Sequence, residues 1–368
     1  MIIPHSRPSI DQSDIDAVSE VLASGKIAQG EKVREFENAL ARYAGVKHGV
    51  AVSSGTSALH LALLSLGIGP RDQVIIPSYV CSSPYFAVLY AGAAPEIVDV
   101  DLTNFNIHAN AVKPQISPRT KAIIVPHMFG NPAELGSILE LGIPVIEDCA
   151  QSIGAEYKSH KVGSLGKVSV FSFYATKMMT TGEGGMILTD DDDCFTTLLE
   201  LRDYDGKALH PVKYNYKMTD LQASLGLSQL SKLPGFIECR RRIALAYTHA
   251  FSKYEIQVPI PTADSKAVFY RYVVTLEKME QFRERAHKEG IICEKPLFTP
   301  LHRNLTSVEC KNSDLVHSRA LSIPLYPSLS QEEIDYLLSR LEEILGRMAA
   351  KSTVQIPRDD EAIKKRRA

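Results

Sequence analysis

Phe171-Ser172-Phe173-Tyr174-Ala175-Thr176-Lys177, followed by Thr181-Gly182-Glu183-Gly184-Gly185, decides how this chain is read. Val168 to Phe173 is a short apolar and aromatic run, expected to form a strand. A lysine directly after such a strand, ahead of a glycine-rich turn, is unusual, because a loop lysine is ordinarily a solvated charge. Desolvation there would lower its pKa and make the neutral amine accessible. A Schiff-base lysine needs that state. Ser172, five residues earlier, would be in place to hydrogen-bond a phosphate.

Outward from Lys177 the same pattern repeats. Gly49-Val50-Ala51-Val52 reads as a strand followed by a helix from Ser57 to Leu66. Gln73 to Ile76 reads as a strand followed by a helix near Ser82 to Ala91. Further strands are expected at Pro95 to Val100, Lys121 to Pro126, Pro144 to Glu147 and Gly185 to Thr189. These runs are apolar without strict alternation, as expected of strands buried on both faces of a mostly parallel sheet. Strand-helix repetition of this kind indicates an α/β layered domain. Beyond Gly185 the pattern changes. Met218 to Leu230 and Phe236 to Phe251 read as helices, Ala267 to Leu276 as a strand, and Gln281 to Glu289 and Gln331 to Met348 as helices. The organisation expected is a large domain over 1–245, a smaller α+β domain over 246–350, and a polar tail over 351–368 that ends in Lys364-Lys365-Arg366-Arg367.

Two other strand ends carry chemistry. Ser53-Ser54-Gly55-Thr56-Ser57-Ala58-Leu59 lies where a strand gives way to a helix. Gly55 permits close backbone approach, and Thr56 and Ser57 offer hydroxyls and free N–H groups at a helix start, which suits a phosphate. Ser or Thr at that place also serves as a plain N-cap. The segment is neither a Walker A loop nor G-x-G-x-x-G. Val145-Ile146-Glu147-Asp148-Cys149-Ala150-Gln151-Ser152 places Asp148 at the carboxyl end of a buried strand, the edge where open α/β sheets bind ligands. A carboxylate there suits a cationic ring nitrogen, a magnesium ion, a catalytic proton, or simply a cap.

Taken in order, these motifs make the chain resemble the DegT/DnrJ/EryC1/StrS family of nucleotide-sugar aminotransferases. The resemblance runs from Gly25-Lys26-Ile27-Ala28-Gln29-Gly30 and Phe36-Glu37 to Ile323-Pro324-Leu325-Tyr326-Pro327, nearly the whole chain. It implies the fold of pyridoxal-phosphate (PLP) enzymes of type I, with a mostly parallel seven-stranded sheet between helices in the large domain. It also implies PLP carried as a Schiff base on Lys177, which would then act as general base and general acid. Asp148 would hold the ring nitrogen protonated, Tyr79 would stack on the ring, and Gln151 would reach the phenolic oxygen. Gly55, Thr56, Ser57 and Ser172 would cradle the phosphate. Asn215 would reach the phosphate of a neighbouring subunit, implying a homodimer with shared active sites. His127, Glu183, Lys217 and His302 are expected to contact substrate, although relatives often carry arginine in place of Lys217. Where relatives read His-Tyr-x-Pro-Leu-His, this chain keeps Pro300-Leu301-His302 but has Leu297-Phe298 in place of the first His-Tyr pair. The substrates implied are L-glutamate and a nucleotide-linked keto sugar, expected to be a 4-keto-6-deoxy sugar. Sugar dehydratases of the same fold carry histidine in place of the lysine, so Lys177 argues against that alternative. A non-catalytic regulatory homologue is the other alternative, and the intact Asp148, Gln151, Ser172 and Lys177 argue against it.

Bulk properties agree with a soluble enzyme and exclude other classes. The 368 residues carry a net charge of −2, with 45% hydrophobic and 23% charged. This gives no general electrostatic attraction to nucleic acid or an anionic membrane. No apolar run approaches the roughly 18 residues of a membrane span. The start, Met1-Ile2-Ile3-Pro4-His5, lacks the features of a signal peptide, so a cytoplasmic location is expected. The six cysteines are scattered with no C-x-x-C pair, so neither a metal site nor a disulfide framework is expected.

Overall fold

The computed structural model describes residues 1–205, 208, 212–254, 256–305 and 308–353. The helices in chain order are α1 Gln12–Ser24, α2 Glu31–Ala44, α3 Gly55–Ser65, α4 Ser83–Tyr90, α5 Ala109–Val112, α6 Leu135–Leu139, α7 Asp192–Arg202, α8 Asp220–Phe251, α9 Met279–Lys288, α10 Lys311–Arg319 and α11 Gln331–Thr353. The strands are β1 His48–Val52, β2 Gln73–Pro77, β3 Ala94–Val98, β4 Thr120–Pro126, β5 Val145–Asp148, β6 Glu156–Tyr157, β7 His160–Lys161, β8 Val168–Ser172, β9 Gly185–Thr189, β10 Ser265–Lys266, β11 Tyr272–Thr275 and β12 Ala320–Ile323.

Seven strands form one sheet in the order β1-β9-β8-β5-β4-β2-β3. Strands β3, β2, β4, β5 and β8 run parallel, and β9 runs antiparallel to both β8 and β1. Six strands therefore share a direction and one reverses, the mostly parallel seven-stranded sheet that the resemblance implies. The strands are almost wholly buried, because each face carries its own apolar layer. One layer packs Val50, Val74, Ile124 and Ile146 with α3 and α4. The other packs Ala51, Ile75, Ile123 and Val145 with α2 and α8. Successive residues of a strand alternate between these layers, which is why the runs lack polar positions.

A third apolar cluster surrounds the two-stranded β11–β12 sheet with α9 and α11. It also takes in Ile3 and, from α8, Ile243, Ala244, Tyr247 and Phe251. Helix α8 therefore belongs to two cores. The sequence suggests two helices, 218–230 and 236–251, but the structure has one, with Pro234 inside it. A proline removes one backbone hydrogen bond. Burial of Leu230, Leu233 and Ile237 in the large core holds the turn across it. The strand expected over 267–276 is shorter, Tyr272–Thr275, because Phe269 takes a left-handed backbone (φ 52°) that a strand cannot include. Of the expected tail over 351–368, Lys351 to Thr353 continue α11, and 354–368 lie outside the described residues.

Candidate active site

The carboxyl ends of the parallel strands meet at one edge, where a cavity of about 260 Å³ opens. Strand β1 delivers Ser54, Gly55 and Thr56, β5 delivers Asp148 and Ala150, and β8 delivers Ser172, Tyr174 and Lys177. The segment after β2 adds Cys81 and Ser83, and the turn before β9 adds Glu183. Two glycines let the backbones close on one another. A Cβ on Gly55 would lie 2.8 Å from the Ser172 Cβ, and one on Gly185 would lie 2.3 Å from the Ser54 carbonyl oxygen. Nothing larger than glycine fits there, so the start of α3 is pressed against the end of β8.

That contact builds a cradle for an anion. The Ser54 side chain caps α3 by accepting from the Ser57 N–H at 3.0 Å. The Gly55 and Thr56 N–H groups precede the first intrahelical bonds and point out of the helix end, where the dipole favours negative charge. The Thr56 hydroxyl meets the Ser83 hydroxyl at 2.9 Å, and Ser172 lines the opposite wall.

Asp148 is 6% exposed. Its Oδ1 accepts from the Ala150 N–H at 3.0 Å, its one hydrogen bond among the described residues. Burial raises its pKa, against the opposing effects of the Ala150 N–H and the positive charge of Lys177. A buried carboxylate so thinly partnered calls for a cation. Lys177 is half-buried in a turn closed by its N–H to the Tyr174 carbonyl at 2.9 Å. Among the described residues its amine makes no ion pair; it sits 5.2 Å from the centroid of the Tyr270 ring. Gln151 accepts from the Phe129 N–H at 2.8 Å through its carboxamide oxygen, so its NH2 end remains to donate.

Several expectations require correction. Tyr79 does not face the cavity. It is fully buried against Phe105 and Phe129, with no partner for its hydroxyl among the described residues, and burial pushes its pKa up. The chain turns after β2, with the Val80 N–H bonded to the Ser78 carbonyl, and it is Cys81 that reaches the cavity. Cys81 is exposed to the cavity, where desolvation and then the Asp148 charge raise its pKa, so a neutral thiol faces the site. Ser57 is occupied with Ser53 and Ser54, and Ser83 takes the place expected of its hydroxyl. His127 is wholly enclosed. Its Nδ1 accepts from the Ala133 N–H at 3.0 Å, which leaves the proton on Nε2 to donate to Glu147 at 3.2 Å. His127, Glu147 and Cys149 lie close enough to hold a metal. Glu147 is already satisfied there by the N–H groups of Gly163, Leu165 and Gly166, so the cluster is a structural knot. His302 is buried between Ser78 (2.6 Å) and Asp314 (3.2 Å) and clamps the segment after β2. Lys217 is neutralised by Asp203 (2.9 Å) and Asp205 (2.8 Å) and does not line the cavity. Glu183 lines it, and Asn215 is exposed on a segment bonded to the end of β1.

A lysine amine, a buried carboxylate with one hydrogen bond among the described residues and the start of a helix face a single cavity. Pyridoxal phosphate is an aldehyde, a ring-nitrogen base and a phosphate in one molecule, and these residues fit each part. The fold and its edge thus define a PLP-dependent aminotransferase of fold type I. The chain belongs to the DegT/DnrJ/EryC1/StrS aminotransferase family, whose model matches residues 8–342. It is 36% identical over 363 residues to GDP-perosamine synthase of Caulobacter vibrioides, a match covering 92% of this chain and 97% of that protein. It is 33% identical to the UDP-N-acetyl-3-dehydro-alpha-D-glucosamine 3-aminotransferase of Acidithiobacillus ferrooxidans, covering 90% and 93%. Among solved structures, the aminotransferase TlmJ from Streptoalloteichus hindustanus superposes with a TM-score of 0.89 at 29% identity, covering 95% of this chain and all of that one. Spr1654 from Streptococcus pneumoniae, in its PMP form, gives 0.89 at 25% identity, covering 96% of this chain and 100% of that one.

Proposed function

We propose that this aminotransferase moves the amino group of L-glutamate to a nucleotide-linked 4-keto-6-deoxy sugar, making an amino sugar for surface polysaccharide or glycoside synthesis. The similarity to GDP-perosamine synthase over almost the full length of both chains supports this reading. When bound, PLP supplies a carbonyl for the amine and a protonated ring that withdraws electrons. Lys177 would hold the cofactor through its amine, and the same amine would be placed to take and return the proton that moves during transamination. Asp148 would hold the ring nitrogen protonated, because its buried carboxylate calls for that charge. Thr56, Ser83, Ser172 and the first N–H groups of α3 would anchor the phosphate, Gln151 would donate to the phenolic oxygen, and Cys81 would pack against the ring.

The active form in this reading is a homodimer in the cytoplasm, with Asn215 reaching the partner's phosphate. Its exposure beside the end of β1, outside its own cavity, supports that arrangement. Among the described residues no helix is long and apolar enough to cross a membrane. The test is a panel of GDP-, UDP- and dTDP-linked 3-keto and 4-keto sugars with glutamate, read by mass spectrometry. Amination of a 4-keto-6-deoxy sugar is the result expected; amination of 3-keto sugars alone refutes the sugar assignment.

A further inference from the structure

A second cavity, of about 430 Å³, opens between the loop after β4, the middle of α8 and the segment before β11, and it shares no lining residue with the cavity at Lys177. Its frame is fixed by backbone contacts. The Val268 N–H donates to the Gly130 carbonyl at 2.9 Å, and a Cβ on Gly130 would lie 2.8 Å from the Tyr270 nitrogen, so the two loops are pressed together. Phe129 and Phe269 flank this contact, both with left-handed backbone (φ 59° and 52°), and both line the cavity. Another wall is the segment 258–261, where Pro259 and Pro261 have restricted φ and the Ile260 N–H donates to the Thr103 carbonyl at 2.8 Å. A preformed, mostly apolar cavity of this volume is of the size that small molecules occupy.

Two guanidinium groups stand in the apolar lining, Arg241 and Arg271. Arg271 Nη1 contacts both His5 ring nitrogens, at 3.1 and 2.9 Å, and its Nη2 donates to the Tyr270 hydroxyl at 3.4 Å. Burial, and then the Arg271 charge, push the His5 pKa down to about 3, so the imidazole is neutral and accepts without adding charge. Arg241 is held through its Nε, which donates to the Ala267 carbonyl at 2.9 Å. Among the described residues neither arginine has a carboxylate partner, Arg271 Nε and Arg241 Nη1 make no hydrogen bond, and no acidic side chain lines the cavity. Half-buried guanidinium groups with spare donors and no counter-ion favour an anion, and their planar fork suits a carboxylate. The apolar walls favour a ligand with a hydrocarbon body over a sugar or a diphosphate.

We propose that this cavity is a second binding site, for a carboxylate carried on an aromatic or alkyl body. The carboxylate lies at Arg241 and Arg271, and the body packs against Phe129, Phe269 and Leu245. His5 and Tyr270 are positioning residues that hold the Arg271 guanidinium.

The test titrates the holoenzyme by calorimetry with 4-phenylbutyrate, with 4-phenylbutyramide, which lacks the charge, and with acetate, which lacks the apolar body. One saturable site per chain is expected for 4-phenylbutyrate, with the amide and acetate each about tenfold weaker or more. Arg241→Gln removes one of the charges, and Leu245→Asp places a repelling charge at an exposed position of α8. Each is expected to weaken 4-phenylbutyrate about tenfold or more. The PLP absorbance band, transamination and sedimentation mass are expected to be unchanged in both variants, which shows that they fold and assemble as wild type does. Absence of saturable binding, equal binding of the amide, or wild-type affinity in either variant overturns the proposal. A shift of the PLP band on adding 4-phenylbutyrate puts the ligand in the Lys177 cavity, and a changed sedimentation mass in Leu245→Asp makes this face a contact between copies of the chain; either result overturns it as well.

Discussion

Replacing Asp148 by Asn keeps the shape of the side chain and an acceptor for the Ala150 N–H, but removes the charge. In the cofactor-free protein that charge is a liability. Burial raises the Asp148 pKa above its ordinary 3.8, so the ionised form is disfavoured by folding. Its favourable contribution is complete only below the unfolded pKa and is lost as pH rises through the raised value. Asp148→Asn is therefore expected to leave the apoprotein at least as stable as wild type at pH 7, with the difference vanishing toward pH 4. With cofactor bound the sign reverses, because the carboxylate then pairs with the ring nitrogen. Breaking a buried pair costs about 3–5 kcal/mol. That corresponds to a loss of roughly two to four orders of magnitude in affinity. The assay titrates apoprotein with pyridoxamine phosphate, which makes no covalent bond to Lys177, and pairs this with thermal unfolding across pH. If Asp148→Asn binds pyridoxamine phosphate as wild type does, Asp148 does not face the ring nitrogen and the reasoning fails.

Lys177→Ala is expected to lower transamination by at least about a hundredfold, from the loss of general acid–base catalysis alone, and to remove the Schiff-base absorbance band. Gly55→Ala drives a methyl into Ser172 and is expected to weaken cofactor binding by about 1–3 kcal/mol, read by pyridoxamine phosphate titration; wild-type affinity would exclude the cradle described above. In Glu147, burial alone would raise the pKa, but the His127 and backbone N–H bonds outweigh it and hold the carboxyl below 4.5. Its stabilisation is present above that value and fades as pH falls, so Glu147→Gln should cost at least about 2 kcal/mol at pH 7 and less in acid, by denaturant unfolding. Mixing inactive Lys177→Ala and Asn215→Ala chains is expected to restore activity if sites are shared between subunits; mixtures as inactive as their components would mean that each site is complete in one chain.

The sequence disclosed most of what strand ends dictate. Asp148, Ser172 and Lys177 could be placed because each follows an apolar run whose end faces the ligand edge of a parallel sheet. Gly55 and Thr56 followed from the strand-to-helix turn. Residues beyond an irregular turn were not legible in this way. Tyr79 matches the aromatic position that stacks on the ring in relatives, yet the turn after Pro77 points it into the core and brings Cys81 out. Ser83 opens α4, and nothing local shows that its hydroxyl meets Thr56, which lies across the cavity. His127 and His302 look like ligands by residue type. Their partners Glu147 and Asp314 come from other elements, so only the folded chain shows that both rings are committed. The Tyr270–Arg271–His5 cluster joins residues more than 260 positions apart and has no signature in any one segment.

Glu147 and Asp148 show most directly how this fold separates support from chemistry. They are adjacent, both buried and both acidic, yet their environments shift them in opposite directions. The cause is the two-residue period of β5, which sends consecutive side chains to opposite faces of the sheet. On one face Glu147 accepts from His127 and from three backbone N–H groups, so its charge is satisfied by hydrogen bonds within the protein. On the other face Asp148 accepts from one N–H and looks into a cavity beside a lysine. The satisfied carboxylate fixes the end of β5 and the loops packed on it. The unsatisfied one, held rigidly by that neighbour, keeps an electrostatic demand that only a bound cation meets. A one-residue slip in the register of β5 would exchange the two and abolish the site, although the composition of the strand would be unchanged.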